Sequence, residues 1–131
     1  MKKIVISGSM QFLSDMEKCK IILNNSGFDT ILPDADNWDD IKPDQINEYK
    51  RMASKKHFNA ISAPETYGIL VVNQPKKDNL NYIGANAFAE IAIAFYFDKK
   101  IFILNDIYQP FVDELLGWGA IPLKGNLCDL T

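Results

Sequence analysis

The sequence predicts an α/β protein: a flavodoxin- or Rossmann-like open, mostly parallel sheet of five strands in the order 2-1-3-4-5, with helices on both faces. Three observations predict it. Short β-branched runs alternate with segments of helical period from one end of the chain to the other. One run, Ile69-Leu70-Val71-Val72, is apolar at every position, the pattern of a strand covered on both faces. No repeat, low-complexity segment or linker divides the 131 residues, so residues 1–131 read as a single domain. Strand–helix alternation of this kind builds a parallel sheet with right-handed crossovers.

Lys3–Ile6 is the first strand and runs into Ser7-Gly8-Ser9. Ser14-Asp15-Met16-Glu17 matches a capping box, in which a hydroxyl and a carboxylate three residues later satisfy free amides at a helix start. Met16, Cys19, Ile22 and Leu23 follow at helical spacing, and Gly27 suits a left-handed cap. Phe28–Leu32 is the second strand, stopped by Pro33. The stretch Pro33–Lys42 carries Asp34, Asp36, Asp39 and Asp40 around Trp38. It reads as a surface loop, because a calcium loop counted from Asp34 would need Gly at position 39 and Glu at position 45. Pro43 opens a helix whose stripe of Ile46, Tyr49, Met52, Ala53 and His57 reaches about Ile61. Tyr67–Asn73 is the third strand, Gln74–Ile83 a polar loop, and Ala85–Phe97 a strongly apolar helix. Lys100–Leu104, Pro110–Leu116 and Ala120–Leu123 complete the alternation as strand, short helix and strand.

Composition narrows the function classes. Fourteen Lys and Arg against seventeen Asp and Glu give a net charge of −3, which argues against a nucleic-acid polymer as partner. The lysine doublets are scattered along the chain and read as solvated element ends. No apolar run approaches the ~20 residues of a membrane span, and Ile4-Val5-Ile6 is too short for a signal-peptide core. Cys19 and Cys128, far apart and in no CxxC spacing, read as reduced thiols of a cytoplasmic protein. With one histidine beside them, no metal site and no cofactor are expected.

In open parallel sheets, ligands bind outside the carboxyl ends of the strands. Here the first strand runs into Ser7-Gly8-Ser9, the third into Asn73 and the fourth into Asn105-Asp106. These ends suit either polar turns or the rim of a cleft. Ser7-Gly8-Ser9 offers hydroxyls and free amides to a phosphate or sugar, yet it is neither GxxxxGK[ST] nor GxGxxG. Glu90 is the sharper signal. It is the only charged residue between Ala87 and Phe97, in a helix apolar on nearly every face and therefore expected to be buried. A carboxylate there costs several kcal/mol unless it is paired or faces a wet cleft, more than the ~0.3–1 kcal/mol a helix dipole returns. Glu90 is thus expected to border a cavity.

Gly84-Ala85-Asn86-Ala87-Phe88-Ala89-Glu90-Ile91-Ala92, preceded by Asn81-Tyr82-Ile83, resembles the glutamate-bearing helix start of the nucleoside 2-deoxyribosyltransferases. It also resembles the related 2′-deoxynucleoside 5′-monophosphate N-glycosidases. Lys3-Ile4-Val5-Ile6-Ser7-Gly8-Ser9-Met10 is similar as well, and so is the order of elements over most of the chain, especially from Tyr67 to Leu104. The resemblance implies cleavage or transfer of an N-glycosidic bond in a nucleoside or nucleoside 5′-monophosphate, with Glu90 attacking C1′. Ser7, Gly8, Ser9 and Asn86 would hold the sugar or its phosphate. Asn73, Tyr82 and Gly84 would complete the ligand site, and Asn126 would approach the site of a neighbouring copy in a homo-oligomer.

Two further readings stand beside this one. The transferases carry a first-strand tyrosine and acidic partners that Ile4-Val5-Ile6 and Gly84 do not supply, which suits a module that senses a nucleotide without turning it over. A third reading is an interaction domain whose apolar helix packs in a homo-oligomer, with Glu90 paired across the interface. His57 reads as a packed or capping histidine, Trp38 and Trp118 as covers of core edges or of an oligomer contact. Tyr82 suits either stacking on a ligand or shielding the helix start.

Overall fold

A computed structural model describes residues 1–34 and 40–131. Five strands, β1 (Lys3–Ser7), β2 (Asp29–Ile31), β3 (Thr66–Val71), β4 (Lys100–Ile103) and β5 (Ile121–Pro122), form one sheet in the order β2-β1-β3-β4-β5. Every neighbouring pair is parallel. Helices α1 (Leu13–Asn25), α2 (Ile46–Ser62), α3 (Ala85–Tyr96) and α4 (Val112–Gly117) connect them.

The period-two alternation of each strand divides the core. Ile4 and Ile6 of β1, with Leu70 and Val72, pack on Met16, Cys19 and Leu23 of α1. Val5, Ile69 and Val71 face the other way, onto Ile61 of α2, Ile91 and Ala94 of α3 and Leu115 of α4. The four residues Ile69–Val72 are buried on both faces, as their unbroken apolar run requires. Strand order reverses at β1, where the connection to β2 leads one way and the connection from β2 to β3 leads back. A constant crossover hand then sends α1 to one face and the other helices to the opposite one. Ser7 follows Val5 by two positions and so lies on the α2–α3 side.

Local chemistry explains the element ends, with one difference from expectation. Gly27 has φ +93°, and Phe28 N–H donates to Leu23 O at 3.0 Å, the closing bond of a left-handed helix cap. Helix α1, however, is not capped by Ser14. A 3₁₀ turn at Met10–Phe12 precedes it, α1 begins at Leu13, and Phe12 N–H donates to Ser9 O at 2.8 Å. Burial of Phe12 against the sheet winds the extra turn onto the helix and overrides the local capping signal. Pro43 starts a 3₁₀ turn that leads into α2. Trp38, Asp36 and Asp39, and with them most of the acidic loop, lie outside the described residues.

Helix α3 departs from the all-round burial its composition suggests. Only Ala87, Glu90, Ile91 and Ala94, one stripe at i, i+3, i+4 and i+7, are buried. Its last turn faces outward, with Tyr96 78% exposed. The sheet covers one side of α3, and Phe88 and Phe95 stack on Trp118, their ring centroids 5.5 and 5.3 Å from the indole, to cover part of the next. Trp118 therefore sits at a core edge.

Candidate active site

Beyond the carboxyl end of β1, where strand order reverses, lies a cavity of about 500 Å³. Four pieces of chain enclose it: the loop after β1 (Gly8, Ser9, Met10), the end of β2 (Ile31 to Asp34), one face of α2, and the start of α3 with Tyr82. The α2 face carries Tyr49, Ala53, His57 and Ala60 at helical spacing. Ile61 is the only fully buried residue of α2, so the helix anchors at its carboxyl end and its earlier turns stand over the cavity instead of the core.

Glu90 occupies a position where the stripe of α3 calls for an apolar residue, and it is 7% exposed. Both carboxyl oxygens are engaged. Ser7 Oγ donates to Oε1 at 2.5 Å, and Nδ1 of His57 contacts Oε2. A buried carboxylate accepts hydrogen bonds and donates none, so the Ser7 hydroxyl and the facing imidazole nitrogen stand where the need that burial creates is met. Both partners come from the same chain. The across-interface partner considered for Glu90 is thus replaced by Ser7 and His57, brought to it by β1 and α2.

Of the two roles expected for His57, capping is not found, since α2 runs on to Ser62; its side chain is largely buried, as a packed histidine's is, and it also lines the cavity against Glu90. Its signal was present in the helical stripe of α2, which pointed inward. Nothing along the chain told that the inward side would be a cavity opposite an acid 33 positions away.

The remaining residues divide into two groups. Gly8, Ser9, Tyr82, Gly84 and Asn86 line the cavity beside Glu90. Gly8 has φ +154°, and a Cβ there would stand 2.9 Å from Val72 O, so the loop needs glycine to pass this close to β3. Gly84 precedes α3 without a side-chain cap, and a Cβ on it would lie 3.1 Å from the Tyr82 hydroxyl. Tyr82 is held edge-on by Tyr108, with Lys76 Nζ 4.9 Å from its ring centroid. At the rim, Lys56 pairs with Asp34 at 3.0 Å.

Ser7, Asn73 and Asn126 are not in the cavity wall. Ser7 is fully buried behind Glu90. Asn73 is also fully buried, and its amide donates to Asp106 O at 2.8 Å and Asn81 O at 3.2 Å while accepting from Asn105 N–H at 3.0 Å. Asn105 in turn donates to Asn73 O and to Gln74 Oε1. The polar ends of β3 and β4 thus satisfy backbone groups where the chain leaves the sheet, and only that of β1 reaches the cavity. Asn126 accepts from Cys128 N–H at 3.1 Å in a terminal 3₁₀ turn.

The class defined so far is an open parallel α/β protein with a buried carboxylate on the wall of a switch-point cavity. No protein-family model and no curated protein sequence matches the chain. Among solved structures, the CMP N-glycosidase BcmB of Clostridium botulinum is similar to it, with a TM-score of 0.53 and 17% sequence identity. The likeness covers 92% of this chain and 87% of that one, and at this identity it is a likeness of fold. Among the described residues, no helix is long and apolar enough to cross a membrane.

Proposed function

We propose that this chain hydrolyses the N-glycosidic bond of a nucleoside or nucleoside 5′-monophosphate, with Glu90 as nucleophile. The observation that carries the reading is the Glu90 carboxylate: buried, braced by Ser7 and His57, and set in the wall of a 500 Å³ cavity. The fold it shares with a CMP N-glycosidase supports the same bond as target.

In this mechanism a Glu90 oxygen attacks C1′ while the bond to the base breaks, and the base leaves with the bonding electrons. The positive charge that develops on the sugar in the transition state falls beside a carboxylate that is itself largely shielded from solvent, which strengthens the attraction. The product is a glycosyl ester of Glu90, which water then cleaves to free sugar and carboxylate. A second nucleobase in place of water makes the reaction a transfer. Gly8, Ser9 and Asn86, with the free amides opening α3, hold the sugar hydroxyls or the phosphate, and Tyr82 covers the base. We take the substrate to be a free small molecule of the cytoplasm and the protein to act as a homo-oligomer, with Asn126 near a neighbouring copy's site.

Incubation with a panel of nucleosides and 5′-monophosphates, followed by chromatography for free base, tests the reading. Base release by the wild type, reduced at least roughly 1,000-fold in Glu90→Gln, is the expected result. Thermal stabilisation by a nucleotide with no base released would establish the sensing module instead.

A further inference from the structure

His57 has one ring nitrogen on Glu90 and the other in an unusual position. Nδ1 contacts Glu90 Oε2. Nε2 is buried from solvent and, among the described residues, has no hydrogen-bond partner. The two states of an imidazole make opposite demands on such a place. An imidazolium, or the tautomer protonated at Nε2, would bury an N–H with no acceptor, which costs about 1–3 kcal/mol or more when charged. The Nε2–H tautomer would also turn a bare nitrogen toward the carboxylate, lone pair against lone pair. Only the neutral Nδ1–H tautomer satisfies both ends, by donating to Glu90 and leaving Nε2 as an unprotonated nitrogen shielded from solvent.

We infer that His57 is a neutral Nδ1–H imidazole that acts as a positioning residue for Glu90, fixing the carboxyl group against the cavity through one N–H···O bond. With Ser7 on Oε1, the two donors come from different elements, β1 and α2, and each holds one oxygen, which restrains rotation of the carboxyl group. Each carboxylate oxygen keeps a second lone pair, so neither bond blocks attack on an electrophile in the cavity. His57 then contributes through Nδ1 and not through Nε2. The catalytic part of this inference rests on the N-glycosidase reading, whereas the tautomer does not.

The sequence contains a single histidine, so the ring-nitrogen NMR spectrum of the ¹⁵N-labelled chain at neutral pH reports His57 alone. A pyrrole-type Nδ1 and a pyridine-type Nε2 are expected. The reverse assignment, or two protonated nitrogens, overturns the proposal. Variants test the role separately. Asparagine places an amide N–H near the Nδ1 position and glutamine near the Nε2 position, while leucine only fills space. His57→Asn is expected to keep the kcat of base release within about tenfold of the wild type, while His57→Gln and His57→Leu lose roughly 100-fold in kcat. Activity retained by His57→Gln but lost in His57→Asn shows action through Nε2 and overturns the proposal, as does activity retained by His57→Leu, which shows packing alone. If the wild type releases no base from any substrate, the N-glycosidase reading falls, and the tautomer decides the remaining claim.

Discussion

Ser7 closes β1 and Glu90 sits in the middle of α3, 83 positions later, yet Ser7 Oγ donates to Glu90 Oε1 across 2.5 Å. Ser7 is fully buried and outside the cavity wall, so its hydroxyl has the carboxylate as its partner. Ser7→Ala removes one donor from a buried acceptor. The expected cost is about 1.5–3 kcal/mol, measured by urea unfolding. Base release is expected to fall about 10- to 100-fold at unchanged KM, because the variant alters the aim of Glu90 and touches no part of the cavity surface.

Asn73 offers a contrast. Its three hydrogen bonds tie the ends of β3 and β4 to the loop that carries Tyr82. Asn73→Ala strands two carbonyls and one N–H at the sheet edge, and a loss of about 2–4 kcal/mol is expected in chemical denaturation. Nucleotide affinity of the folded fraction is expected to stay within about threefold, since Asn73 lies outside the cavity.

Gly8 is the tight point of the loop beside Glu90. Gly8→Ala combines φ +154° with a Cβ 2.9 Å from Val72 O, a backbone atom that cannot swing aside. A destabilisation of about 1–3 kcal/mol is expected. The loop must also withdraw from β3, so the thermal shift on adding nucleoside monophosphate, read by differential scanning fluorimetry, is expected to shrink or vanish.

Burial, aided by the Asp15 carboxylate, pushes the Cys19 thiol up to about 11. Cys128 is exposed. At pH 8 one equivalent of a thiol reagent is expected to react quickly, at Cys128, and the second only after unfolding. The same shift has a sign in stability. The folded chain holds the Cys19 proton to higher pH than the unfolded chain, whose thiol ionises near 9.0. Stability from this group is therefore complete below pH 9 and declines as pH rises toward 11. The drop in melting temperature between pH 8 and pH 10.5 is expected to be smaller in Cys19→Ala than in the wild type.

Much of the architecture follows from information carried locally along the chain. Strand and helix periods, the cap at Gly27, the proline of the turn that leads into α2 and the buried run Ile69–Val72 depend on neighbours within a few residues, and they determined the element order and the sheet. Glu90 was conspicuous for the same reason, as one charge among apolar residues on a buried stripe. Where local rules fell short, distant packing had the larger effect: Phe12 drew an extra turn onto α1, and one-sided contact left the end of α3 exposed. The site itself belongs to tertiary structure. That Ser7 braces Glu90 from behind, that His57 faces it across a cavity, and that Asn73 serves the sheet edge instead of a ligand are relations over 83, 33 and 32 to 33 positions. Hydrogen bonds form between groups that strand register and helix packing bring within 3 Å, and no periodicity along a chain encodes which groups those are.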